Sequence, residues 1–161
     1  MASVVLRIGH RVPDFSLFDS EGKERKLSEL LQKGNLTIVF FPFAFSGACD
    51  REICVFRDTI LGENALKGNL VGISVDSVFT LKIFSETYNP GFPLLSDFNK
   101  KVARSFDVLQ DPWVEYGYRG VAKRSVFVVD RSGVLRYRWI SEDPDREPPY
   151  EEVASATFKL G

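Results

Sequence analysis

The apolar positions of this chain fall into short blocks whose period alternates between two and about 3.6. Residues 36–41 form a continuous apolar run with β-branched members, the pattern of a strand buried on both faces. Residues 69–75 repeat that pattern, and a helical period over about 47–61 lies between them. Asp76 or Ser77 caps a further helix that ends before Pro90-Gly91. A helix around 99–106 sets Val102, Phe106 and Leu109 on one face. Residues 126–130 and 134–140 read as strands joined by the turn Asp130-Arg131-Ser132-Gly133. Nearer the start, 14–17 and 25–27 are short strands meeting across Asp19-Ser20-Glu21-Gly22, and a short helix opens at Ser28 and stops at Gly34. Residues 150–160 make a closing helix that packs through Val153, Thr157 and Phe158.

Strand, helix and strand followed by an antiparallel hairpin predict an α/β fold, a mixed central sheet flanked by helices. No repeat, linker or low-complexity run divides residues 1–161, so the pattern predicts a single domain. Two stretches carry no period. Residues 111–122, with Pro112-Trp113 and Gly117, read as a loop. Residues 141–149, with Glu142-Asp143-Pro144-Asp145, read as an acidic, solvated loop without metal-ligand spacing.

Composition narrows the functional classes. A net charge of −1 without a basic block argues against a nucleic-acid footprint. The apolar run at the N-terminus is too short for a signal peptide or a membrane span, so a cytoplasmic protein is expected, with no membrane partner. The 14 Phe residues supply core material and favour a homodimer over a monomer. Two cysteines are too few for a disulfide framework and suit chemistry in a reducing compartment. Cys49 and Cys54 lack two further soft ligands, and His10 is the single histidine, so neither zinc nor a cysteine–histidine hydrolase fits. His10 reads as a surface residue.

The chemistry concentrates in Pro42-Phe43-Ala44-Phe45-Ser46-Gly47-Ala48-Cys49, between the first buried strand and the helix that follows it. A cysteine in the first turn of a helix faces unpaired N–H groups and the positive end of the helix dipole, which favour its thiolate. Ser46 is placed to cap that helix and to serve the sulfur with its hydroxyl. Pro42 fixes the chain's approach and offers no competing N–H. Glu52, also near the helix start, reads as structural, pairing with Arg51, Arg57 or Arg124.

The spacing Pro42-x-x-x-Ser46-x-x-Cys49 resembles the peroxiredoxin family, and the likeness extends along most of the chain. Val12-Pro13-Asp14-Phe15 is similar to the family's opening segment, and Glu52 to the acidic residue three places after its reactive cysteine. Phe56-Arg57-Asp58, Gly72-Ile73-Ser74-Val75-Asp76-Ser77 and Phe92-Pro93-Leu94-Leu95-Ser96-Asp97 follow in the family's order, the last as a loop. Arg124 before Ser125-Val126-Phe127-Val128-Val129-Asp130 resembles the strand that carries the family's second catalytic arginine position. Ser46 and Gly47 depart from the commonest pattern, where threonine and proline are frequent. The likeness is to the single-domain group that includes bacterioferritin-comigratory-type and one-cysteine enzymes.

That resemblance implies a thioredoxin-like fold with an N-terminal β extension. It implies a thiol peroxidase for hydrogen peroxide and alkyl hydroperoxides, working without metal, haem, flavin or other cofactor. Cys49 would become a sulfenic acid, Arg124 would favour the thiolate and donate to both peroxide oxygens, and Pro42 would shield the sulfur. The reductant would be a thioredoxin-like or glutaredoxin-like protein or a small thiol. Cys54 is either the resolving thiol or an apolar filler in Ile53-Cys54-Val55-Phe56 of a one-cysteine enzyme. Five helical residues rise about 7.5 Å and turn the two side chains roughly 140° apart, so a Cys49–Cys54 bond requires the helix to unwind. Two rivals remain. A thioredoxin-like disulfide oxidoreductase would use a closer pair of cysteines than this one. A redox-sensing binding protein would oxidise stoichiometrically rather than turn over.

Overall fold

A computed structural model describes residues 6–61, 69–112 and 116–160, with the side chains of residues 49, 60 and 61 outside the description. Its elements in chain order are β1 (Ser16–Asp19), β2 (Glu24–Lys26), α1 (Leu27–Gln32), β3 (Leu36–Phe40), α2 (Ala48–Leu61), β4 (Asn69–Ser74) and α3 (Val78–Tyr88). There follow β5 (Leu94–Ser96), α4 (Lys101–Ser105), β6 (Leu109–Gln110), β7 (Val121–Ala122), β8 (Ser125–Val129), β9 (Leu135–Ile140) and α5 (Tyr150–Lys159). Seven strands form one sheet in the order β2-β1-β5-β4-β3-β8-β9, and β6 pairs with β7 apart from it. The sheet is mixed, as the pattern predicts: β3, β4 and β5 run parallel, while β8, β9, β1 and β2 join antiparallel.

Strand alternation divides the interior in two. On one face Ile38, Phe40, Ile73 and Phe127 meet Leu30 of α1, Val102 of α4 and Phe106 at its C-terminal end. On the other, Val39, Phe41, Leu94 and Val126 meet Ile53 and Phe56 of α2, Leu81 and Phe84 of α3, and Val153 of α5. Both faces of β3 are covered, which is why its sequence is apolar throughout. Gly72 sits where that packing is tightest. A Cβ there would come within 2.9 Å of Leu94 Cδ2 and 3.3 Å of Phe41 Cε1.

The turns follow their side chains. Ser77 caps α3 by accepting from the Thr80 N–H, and Asn89 closes it in the left-handed region at φ 46°. Asp130 holds the β8–β9 hairpin by accepting from the Ser132 and Val134 N–H groups, with Gly133 at φ 83°.

Several expectations are corrected. Residues 94–96 are an interior strand, β5, rather than part of a loop, seated between β4 and β1. Three residues are too few to display a period. Leu109 belongs to β6 instead of the helix face, because α4 ends at Ser105. Residues 109–110 and 121–122 pair as a short ribbon, so the expected loop has ordered ends, while Trp113 lies outside the described residues. In α5, Val153 and Thr157 are buried as predicted but Phe158 is 45% exposed. His10 is exposed, as expected.

Candidate active site

The strand register brings the sequence-selected residues to one end of the sheet. Phe40, the last residue of β3, pairs with Ser125, the first of β8. One step beyond that pair, β3 gives way to Phe41 and Pro42, and β8 is preceded by Arg124. Residues separated by about eighty positions are thereby neighbours at the sheet's edge. Pro42 is buried at this point, and the chain then turns through Phe45 at φ 64° and Gly47 at φ 81° before α2 begins at Ala48. Phe45 is a non-glycine residue in the left-handed region. Its ring lies edge-on to Phe84, with centroids 5.1 Å apart, a contact that holds the conformation.

Cys49 is the second residue of α2, so its backbone occupies the first turn as the sequence predicts. Cys54 lies in the same continuous helix, half-buried and free. The uninterrupted helix between them fits the expectation that no bond can join them without unwinding.

Arg124 is among the largest fully buried side chains of the described residues, at 1% exposure. Its guanidinium donates through Nη1 to Glu52 Oε2, and through Nε and Nη2 to the Pro144 carbonyl at 3.0 and 2.7 Å. Of the three arginines that the sequence offered Glu52, the structure selects Arg124. Arg51 instead reaches Glu147 at 3.7 Å, and Arg57 pairs with Asp58 at 2.9 Å. Glu52 is fully buried, and its Oε1 is among the few buried polar atoms of the described residues without a hydrogen bond. Burial pushes the Glu52 carboxyl up to about 7, with Arg124 pulling the other way.

The carbonyl behind Arg124 belongs to the stretch that the sequence presented as a solvated loop. Its backbone is ordered by its own side chains. Ser141 Oγ donates to the Asp143 carbonyl, Asp143 N–H returns to Ser141 Oγ, and Asp145 N–H donates to Asp143 Oδ1. The Ser141 N–H is anchored on the Arg124 carbonyl at 2.9 Å. The stretch is a strap that fixes the back of the guanidinium. Acidic, turn-forming composition supplied no sign of this, because the group in contact is a main-chain oxygen.

A cavity of about 280 Å³ opens here, lined by Pro42, Ser46, Ala48, Tyr116, Arg124, Pro144 and Asp145. Ser46 is exposed, and its hydroxyl donates to the Phe43 carbonyl at 2.8 Å. With its proton so directed, its oxygen faces other groups as an acceptor; donating to a substrate requires the hydroxyl to rotate. The loop is held from below by Asp76, whose Oδ2 accepts from the Ala44 N–H at 2.8 Å and from Ser74 Oγ at 2.7 Å. Burial pushes the Asp76 carboxyl up against the pull of these two donors. The sequence offers Asp76 as a candidate cap and as part of the family-like segment Gly72–Ser77; its place just after β4, beside β3, is the signal for this second contact. Among the described residues no group of three or more His, Cys, Asp or Glu is arranged to hold a metal, and no helix is long and apolar enough to cross a membrane.

A mixed α/β sheet flanked by helices, with a buried arginine lining a cavity at the sheet end where the helix bearing Cys49 begins, has the architecture of the thioredoxin-like fold. The family model described as AhpC/TSA matches residues 8–138. The chain is 29% identical over 146 residues to the chloroplastic 2-cysteine peroxiredoxin of Chattonella marina var. antiqua, covering 84% of this chain and 71% of that protein. The crystal structure of peroxidoxin BcpB from Mycobacterium tuberculosis superposes with a TM-score of 0.81 at 31% identity, covering 97% of this chain and 99% of that one. A peroxiredoxin-like protein from Aquifex aeolicus, at 23% identity, shares the fold with a TM-score of 0.85 over 98% of this chain and 89% of its own. The chain belongs to the AhpC/TSA family of peroxiredoxins, the thiol peroxidases.

Proposed function

We propose that this peroxiredoxin reduces hydrogen peroxide and alkyl hydroperoxides through Cys49, and that Cys54 resolves the oxidised form. One observation carries the reading. A fully buried arginine lines a small cavity together with Pro42, Ser46 and Ala48, the residues that lead into the helix turn bearing Cys49. A guanidinium so clamped cannot lose its proton and pays little reorganisation when charge develops beside it.

In the first step the Cys49 thiolate attacks one peroxide oxygen. The S–O bond forms, the O–O bond breaks, and the departing oxygen takes a proton to leave as water or an alcohol. Arg124 favours the thiolate and donates toward the oxygens, with its outer edge held by Pro144 and Glu52. Backbone N–H groups at the start of α2 support the oxygen that gains charge. Pro42, buried and lining the cavity, serves to shield the sulfur. In the second step the Cys54 sulfur attacks the sulfenic sulfur, an S–S bond forms and water leaves. A thioredoxin-like or glutaredoxin-like protein, or a small thiol, then returns both cysteines to thiols. No cofactor enters these steps. We place this chemistry in one domain spanning residues 1–161, in the cytoplasm, with a homodimer as its assembly.

The one-cysteine alternative keeps the first step and gives the second to an external thiol. Peroxide-treated protein digested without reductant distinguishes the two: a Cys49–Cys54 linked peptide supports internal resolution, and its absence excludes it. Trapping the sulfenic acid of Cys54→Ser with a carbon nucleophile, followed by peptide mass spectrometry, tests the first step. Absence of label from Cys49 after peroxide treatment would overturn the assignment.

A further inference from the structure

Closing a bond between Cys49 and Cys54 requires the first turns of α2 to leave the body while the rest of the helix stays. One residue of α3 touches both parts. The Tyr88 hydroxyl donates to Asp50 Oδ2 at 2.6 Å, in the first turn. Its ring packs near Phe45, with centroids 6.4 Å apart, just before the helix. Its carbonyl accepts from Arg57 Nη1 at 2.8 Å, three residues beyond Cys54. The hydroxyl thus fastens the segment that must move, and the carbonyl fastens the segment that must not.

The position of Cys54 fits this division. Asp50 and Cys54 are four residues apart and share a helix face, the face turned toward Tyr88. Cys54 is within electrostatic reach of both the Tyr88 hydroxyl and the Arg57 guanidinium. Among the described residues, two other polar ties of the first turns are of different kinds. Glu52 is part of the buried pair with Arg124, and the exposed Arg51–Glu147 contact is long at 3.7 Å. Between a pair too buried to be readily released and one too loose to restrain, the Tyr88–Asp50 bond is the fastening suited to open and close.

We propose that Tyr88 is a positioning residue for the resolving step: its hydroxyl latches the first turn of α2 through Asp50, and release of that hydrogen bond gates closure of the Cys49–Cys54 disulfide. The proposal rests on the assignment of Cys54 as resolving thiol. With the latch shut, Cys49 keeps the helix turn that peroxide reduction needs. With it open, the Cys54 sulfur attacks the Cys49 sulfenic acid; the S–S bond forms, the S–OH bond breaks, and hydroxide leaves with a proton as water.

Tyr88→Phe removes the hydroxyl alone and retains the ring contacts with Phe45 and Phe84 and the carbonyl bond to Arg57. One hydrogen bond to a charged group, partly exposed, corresponds to about a five- to thirtyfold change in the opening equilibrium. Stopped-flow mixing with hydrogen peroxide should therefore show the first-order closure phase accelerated by about that factor. Amide hydrogen exchange at residues 49–52 of the reduced protein should speed up comparably. Asp50→Asn, whose carbonyl can still accept from the hydroxyl, should lie nearer the wild type than Tyr88→Phe in both measurements. Closure within twofold of wild type in Tyr88→Phe, with the linked peptide formed, overturns the latch and leaves the resolving role of Cys54 intact. Absence of the linked peptide in both wild type and Tyr88→Phe overturns that role and the proposed gate with it. A parallel fall of the peroxide phase and the closure phase marks a general structural function for Tyr88 and also overturns the gate.

Discussion

Replacing Glu52 by Gln exposes the electrostatics on which the buried arginine rests. The Glu52 carboxyl has an ordinary value near 4.5 and is pushed up to about 7 by burial, with the Arg124 contact opposing. Between those two values the folded protein retains a proton that the unfolded chain has released. A raised carboxyl value therefore gives stability that is present at low pH and lost as pH climbs through the window from 4.5 to 7. The full loss amounts to roughly 3–4 kcal/mol, each pKa unit corresponding to roughly 1.4 kcal/mol. Gln has the same shape as the protonated acid and does not titrate. Urea denaturation of wild type and Glu52→Gln at pH 4.5 and pH 8 isolates the effect, because other titrating groups cancel in the difference. The wild type should lose stability relative to Glu52→Gln by up to about 3 kcal/mol across that range. An equal difference at both pH values would show that the carboxyl is not raised. A wild type that gains relative to Glu52→Gln would show that attraction to Arg124 outweighs burial.

Other consequences follow from the same geometry. Arg124→Lys replaces a fork that meets Glu52 and Pro144 together with a single ammonium, so peroxide reduction should slow by tenfold or more in stopped-flow assays, about 1.4 kcal/mol at the least. A rate unchanged by Lys would remove the fork from the mechanism. Asp76→Ala leaves the Ala44 N–H and Ser74 hydroxyl without their acceptor and should cost about 1–3 kcal/mol in urea denaturation. Gly72→Ala forces a methyl to within 2.9 Å of Leu94 and should cost about 1–3 kcal/mol by the same measurement. A neutral result there would mean that the sheet relaxes around β4.

What the sequence made legible follows from where each signal lies. β3 and β4 are buried on both faces, so their apolar runs announced them. The loop into α2 carries its chemistry in side chains at fixed spacing, so Pro42, Ser46 and Cys49 could be selected together, and the strand register supplies the reason that Arg124 meets Pro42. β5 was hidden by its length of three residues. The Pro144 carbonyl was hidden because a main-chain acceptor has no residue type to mark it, and an acidic strap reads as solvent-facing whatever its backbone does. Glu52 had three candidate partners by spacing; burial and direction chose among them. The bond from Tyr88 to Asp50 joins positions 38 apart, beyond the reach of any local pattern.

The proposed role of Cys49 as the thiol that meets peroxide is open to a decisive measurement: the reduced protein is mixed with hydrogen peroxide in a stopped-flow instrument, following tryptophan fluorescence in wild type and Cys49→Ser, with mass spectrometry of the quenched products. A fast phase whose rate rises linearly with peroxide is expected in the wild type and is missing from Cys49→Ser. Oxidation no faster than that of an ordinary free thiol, or a fast phase that survives in Cys49→Ser, would contradict it.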